Sequence, residues 1–167
     1  KGSTQAEVLA LTPNEVITPL TPITPKLKVI TMNIVYLKKG KEESLKRFHP
    51  WVFSGAIHHI EGEPEEGEVV RVVTADRQFI AIGHYQIGSI AVRVLSFVDE
   101  PIDEAFWHRR LAIAYDMRRA IGVAGNPRNN TYRLVHGEGD NLPGLVIDVY
   151  GRTAVVQAHS VGMHVYR

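Results

Sequence analysis

A chain of 167 residues, 44% hydrophobic and 22% charged, suits one medium domain or two small ones with a real core, and excludes a fibrous or wholly disordered protein. The absence of cysteine excludes disulfides, thiolate metal sites and a cysteine nucleophile within these residues, and fits a reducing compartment. The net charge of +1 says little about partners as an average, but no apolar run approaches the roughly 20 residues that span a bilayer and no signal pattern opens the sequence, so a cytoplasmic location without a membrane partner is expected.

Residues 1–31 differ from the rest. The run Thr18-Pro19-Leu20-Thr21-Pro22-Ile23-Thr24-Pro25 repeats Thr-Pro with apolar spacers. Each proline removes a backbone donor and pushes its predecessor to extended conformations, so an extended arm or leader is expected, and Met32 offers a native start. A short strand follows at Ile34 to Leu37, then Lys38-Lys39-Gly40-Lys41 and a helical turn around Glu42 to Arg47 that ends before Pro50. Trp51 to Phe53 is a strand closed by Ser54-Gly55, and Glu61 to Gly67 is an acidic loop. Val69 to Val73 and Phe79 to Tyr85 form a hairpin across Ala75-Asp76-Arg77, followed by a strand at Ile90 to Phe97. Strands at this spacing suggest a small barrel or sandwich.

The long helix is expected over Asp103 to Ile121, with Asp103 as N-cap and Gly122 as the stop. Phe106, Ile113, Met117, Ala120 and Ile121 share a sector that Trp107, Leu111 and Ala114 widen, so the helix should be covered on more than one side. A second β unit follows the loop at 125–130, with strands at Tyr132 to His136, Leu145 to Tyr150 and Ala154 to Ala158, the last two joined by a tight hairpin at Gly151-Arg152. The fold class is therefore α+β, mainly β. The sequence stops at Arg167 without an element that closes this second sheet, so the unit reads as cut, with an open edge able to pair with another chain and a homodimer possible.

Four features bear on chemistry. Lys38-Lys39-Gly40-Lys41 and Lys46-Arg47-Phe48-His49-Pro50-Trp51 interleave cations with aromatic rings; cations contact phosphates and rings stack on unpaired bases, so the pattern points to an RNA groove. The plainer reading is a solvated basic face with Trp51 and Phe53 in the core. The glycine-rich run His136 to Gly144 is followed by no helix that would receive an anion. If it were extended, His136, Glu138 and Asp140 would share a face near Asp148 and resemble a divalent-metal site, although these are also ordinary turn residues. The eight histidines show no paired metal-binding spacing, and His58 and His59 would point to opposite faces of a strand. Arg110 lies in the apolar sector of the helix and is expected in an ion pair with Glu138 or Asp140, the alternative being a phosphate contact from between the modules; Arg93 poses the same question in its strand.

Lys39-Gly40-Lys41, His49-Pro50-Trp51-Val52-Phe53-Ser54-Gly55-Ala56-Ile57, Gly67, Gly83-His84-Tyr85, Ser89-Ile90 and Val92-Arg93-Val94-Leu95 resemble the N-terminal PUA domain of the S-adenosylmethionine-dependent large-subunit rRNA cytosine-5 methyltransferases. Tyr132-Arg133-Leu134-Val135, Glu138, Asp140, Leu142-Pro143-Gly144-Leu145, Ile147-Asp148 and Tyr150-Gly151 are similar to that family's central β module. Residues 1–31 have no counterpart in this resemblance; beyond that leader it implies a PUA-like pseudo-barrel at 32–100, a connecting helix at 101–125 and the start of the central module at 126–167, truncated before the methyltransferase domain. It implies ribosomal RNA as partner and S-adenosylmethionine as cofactor of the missing domain, which carries the cofactor loop and catalytic cysteines. Neither a cofactor site nor a catalytic residue is expected within these residues. Lys39, Lys41, Lys46 and Arg47 are the first candidates for phosphate contact, with His49, Arg71 and Arg93 behind them. Two other readings remain open: a metal-dependent hydrolase using Glu138, Asp140 and Asp148, and an interaction module that pairs through its open sheet edge.

Overall fold

The computed structural model describes residues 32–166 and, as backbone, residues 6–10. The Thr-Pro repeat and the arm expected around it lie outside the described residues, apart from that short segment. Alternation of period two drives the larger sheet. Its strands are β2 (Ile34–Leu37), β3 (Trp51–Phe53), β4 (Ile57–Glu61), β5 (Val69–Val73), β6 (Phe79–Tyr85) and β7 (Ile90–Ser96), in spatial order β3-β7-β6-β5-β2-β4. Only β2 and β5 run parallel. The sheet curls into a half-barrel around Val35, Leu37, Val52, Val70, Val72, Val92 and Val94, closed by Leu45 from the four-residue helix α1 (Glu43–Lys46). β-branched residues fill the inner face because they pack well on a pleated surface. Gly83 permits the close approach of β6 to β7, since a Cβ there would strike the Arg93 carbonyl.

Alternation also fixes what faces outward. With Val52 inside, Trp51 and Phe53 project from the other face of β3; with Val92 and Val94 inside, Arg93 and Leu95 project from β7. The expectation that Trp51 and Phe53 belong to the core is therefore corrected. Trp51 is half-buried and Phe53 is exposed.

Helix α2 (Glu104–Ala120) begins where the sequence indicates. The Asp103 carboxylate accepts from the Phe106 N–H at 2.9 Å, and Gly122, at φ +74°, follows the last turn. Phe106 and Ala114 enter a second core with Leu95 of β7, with Val135, Leu145 and Ile147 of the smaller sheet and with Leu142 from the loop before β9. The helix thus touches both sheets, but the buried stripe is narrower than its sequence suggests: Ile113, Met117 and Ile121 are each at least half exposed.

The smaller sheet has the order β1-β10-β9-β8, from β1 (Ala6–Ala10), β8 (Thr131–His136), β9 (Leu145–Tyr150) and β10 (Thr153–Ala158), all antiparallel. Two expectations change here. The edge of β10 is not open, because β1 pairs along its whole length. An element also follows β10: α3 (Val161–Val165), capped by Ser160, carries Met163 into the second core. Gly162 of α3 lies against the His84 ring, and a Cβ at that position would overlap it. His84 is buried from β6 and stacks at 5.1 Å on Tyr166 and at 6.0 Å on Trp107, joining the larger sheet to α2 and to the end of α3. Burial without a hydrogen-bond partner for either ring nitrogen among the described residues lowers its pKa to about 4.

Candidate nucleic-acid interface

The basic segment begins in the turn after β2. Gly40, at φ +79°, lets Lys41 N–H donate back to the Lys38 carbonyl at 3.0 Å, so Lys38, Lys39 and Lys41 stand on one short exposed loop. That loop is fastened beside the Ser54–Ala56 turn. Lys38 N–H donates to the Ala56 carbonyl at 2.8 Å and Lys38 Nζ to the Gly55 carbonyl at 2.9 Å. The cationic loop therefore borders the end of β3 that carries Phe53.

At the other end of β3, α1 terminates in an unusual way. Phe48 N–H donates to the Leu45 carbonyl at 2.8 Å and His49 N–H to the Ser44 carbonyl at 3.0 Å, the paired bonds of a Schellman cap. The position that usually holds glycine is Phe48, at φ +62°, and its side chain is 71% exposed. Arg47 immediately precedes it and is also exposed.

Between these two ends lie three rings two residues apart. His49 sits 5.7 Å from Trp51 and 6.0 Å from Phe53, and Trp51 sits 6.3 Å from Phe53. Trp51 is fixed from the neighbouring sheet. Its indole N–H donates to Glu138 at 3.2 Å, the same carboxylate oxygen accepts from Arg93 at 3.0 Å, and the Arg93 guanidinium lies 5.9 Å from the Trp51 ring centre.

The seven candidate contacts separate on these grounds. Lys39, Lys41 and Arg47 are exposed and make no ion pair among the described residues. Lys46 is near them but bridges to Glu43 at 2.8 Å and Glu42 at 3.7 Å; the hydrogen bond to Glu43 raises its pKa. His49 belongs to the ring strip. Arg93 lies next to that strip but is committed to Glu138 and Gln86. Arg71 is not brought to this surface: β5 is three strands away from β3, and its guanidinium pairs with Asp99 and covers the Phe79 ring at 5.0 Å. Lys38 and Phe48 belong to the expected cation and ring pattern, whereas Phe53, expected in the core, is a surface ring. The period-two alternation from His49 through Trp51 to Phe53 carried the signal for the last.

The glycine-rich segment is corrected in detail. Residues 137–140 form a 3-10 turn rather than an extended strand, so His136, Glu138 and Asp140 do not share a face. Asp140 accepts from the His136 N–H at 2.6 Å and holds Arg118 through both carboxylate oxygens. Asp148 is bound by Arg133 at 2.8 and 3.0 Å, and that bond holds its carboxyl below the usual range. Each of the three carboxylates thus has its own arginine, and no metal-sized cluster forms among the described residues. Arg110 is not the partner of Glu138 or Asp140. It donates to the Leu95 carbonyl at 3.0 Å above the Phe106 ring, because its turn of α2 faces β7, while Arg118 two turns later faces the 137–140 turn. An open cleft of about 300 Å³ beside Glu138 is lined by His136, Gly144 and His159. No helix among the described residues is long and apolar enough to cross a membrane.

Comparison with known proteins agrees with this architecture. Residues 35–97 match the PUA-like domain family, covering most of the six-stranded sheet. The chain is 42% identical over 139 residues to ribosomal RNA large subunit methyltransferase I of Shewanella amazonensis, an alignment that takes in 80% of this chain and 34% of that protein. It is also 42% identical over 133 residues to the Escherichia coli protein of the same name, covering 78% and 33% respectively. The chain therefore spans about a third of the length of the curated relatives it matches. Among solved structures, one named "a putative sam-dependent methyltransferase from Streptococcus mutans" aligns with a TM-score of 0.65 at 17% identity, over 80% of this chain and 35% of that one, which shows a shared fold.

Proposed function

We propose that these residues are the RNA-docking portion of a large-subunit rRNA methyltransferase, with a PUA-like module at 32–100, a connecting helix at 101–125 and the beginning of a central β module at 126–167. In this reading the methyl donor is S-adenosylmethionine and the target base is cytosine, methylated at C5. Both would be handled by residues beyond those described, and these residues contribute binding only. The observation that carries the reading is the cationic loop and ring strip on β3 in a chain more than 40% identical, over most of its length, to rRNA large subunit methyltransferases. Phosphate neutralisation by Lys39, Lys41 and Arg47 should dominate affinity, with Lys46 and His49 close by and Arg71 and Arg93 contributing least.

The test is binding to protein-free large-subunit rRNA, with duplex DNA as control. Selective RNA binding that falls by about 100-fold or more in Lys41→Glu/Arg47→Glu, with an unchanged melting temperature, is expected. Equal binding by wild type and variant would contradict the assignment of this surface.

A further inference from the structure

The ring strip says which form of RNA this surface fits, an inference that rests on the docking role above. Three aromatic side chains in succession, His49, Trp51 and Phe53, lie on the outward face of an edge strand, with neighbouring ring centres about 6 Å apart. Trp51 is spoken for by Glu138 and Arg93 and acts as a fixed floor. Phe53 is different: its ring is 47% exposed, and the Lys38–Lys41 loop is anchored next to it through the Gly55 and Ala56 carbonyls. Phe48 is more exposed still, and the chain holds it in a left-handed conformation where glycine would be unstrained. Its ring meets Phe97 edge-on at 5.2 Å, so Phe48 has a packing partner of its own outside the strip.

Paired bases present no ring faces to a protein surface, whereas unpaired bases stack on aromatic side chains. We infer that this strip binds an unpaired stretch of RNA, with a base stacked on Phe53 and the flanking phosphates held by Lys39, Lys41 and Arg47.

The experiment measures affinity of the full 167-residue chain for a single-stranded RNA oligonucleotide and for the same sequence annealed to its complement. Wild type should prefer the single strand. Phe53→Leu, which keeps apolar bulk but removes the ring, should weaken single-strand binding about 5- to 100-fold and leave duplex binding and the slope of affinity against salt unchanged. Phe53→Tyr should restore binding. Retained single-strand affinity in Phe53→Leu, or a wild-type preference for the duplex, overturns the stacking assignment and leaves the docking role standing. Failure of the wild type to bind any RNA overturns both.

Discussion

Two regions of the molecule are rich in charge, and they use it in opposite ways. Around the junction of the sheets, Arg93 faces Glu138, Arg118 faces Asp140 and Arg133 faces Asp148. Along the loop before β3 and the end of α1, Lys39, Lys41 and Arg47 face solvent and make no ion pair within 4 Å among the described residues. A count of charged residues does not separate these regions. Commitment does: a paired charge fixes architecture, and an unpaired one is available to a polyanion. The carboxylates that look like metal ligands in sequence are structural for this reason.

The largest expected effect tests the junction. Asp140 and Arg118 have side chains only 3% and 13% exposed, so Asp140→Ala leaves a buried guanidinium unpaired and should cost about 4 kcal/mol in urea unfolding. A loss below about 1 kcal/mol would place this pair with the solvent-facing charges. RNA affinity measured at a temperature where the variant is folded should not change.

His84 is a junction group whose ring nitrogens have no hydrogen-bond partner among the described residues. Its pKa falls from the ordinary 6.5 to about 4 because burial disfavours the imidazolium. Between those values the unfolded chain binds a proton that the native state does not, so stability falls as pH drops through that window and is unaffected above it. The loss from pH 7 to pH 4 attributable to this residue should approach 3 kcal/mol. His84→Phe, which preserves the stack with Trp107 and Tyr166, should remove that part of the acid sensitivity. Identical pH profiles of unfolding would show that His84 is not the titrating group.

A smaller effect is expected at the boundary between the regions. Glu138→Gln keeps a hydrogen-bond acceptor for Trp51 but loses the charge facing Arg93. Both partners are partly exposed, so the stability cost should be about 1 kcal/mol. Affinity for RNA should rise slightly as Arg93 is released, by less than the loss in the lysine variants. A larger gain would move Arg93 from the architectural set to the binding set.

Most of the fold was legible because its signals are local. Alternating Val70 and Val72, or Val92 and Val94, mark strands with one buried face, and Asp103 and Gly122 punctuate α2. What was not legible depended on long-range partners. Nothing near Arg110 in sequence says that its turn of helix meets the Leu95 carbonyl and that Arg118 takes Asp140. The 3-10 turn at 137–140 forms because Asp140 folds back onto the His136 amide, a choice a glycine-rich segment leaves open. The pairing of β1 on β10 joins residues more than 140 positions apart. At the candidate interface, the cations were visible as a run, but which of them stay unpaired was decided by Glu42, Glu43, Glu138 and Asp99.

The most direct test of the central claim, that uncommitted cations beside β3 dock RNA, is the salt dependence of binding to large-subunit rRNA. Wild type should show a steep linear fall of log affinity with log salt concentration. Lys41→Ala/Arg47→Ala should reduce that slope by about 1.4, two phosphate contacts at roughly 0.7 each on single-stranded RNA. An unchanged slope in the double variant would contradict the account.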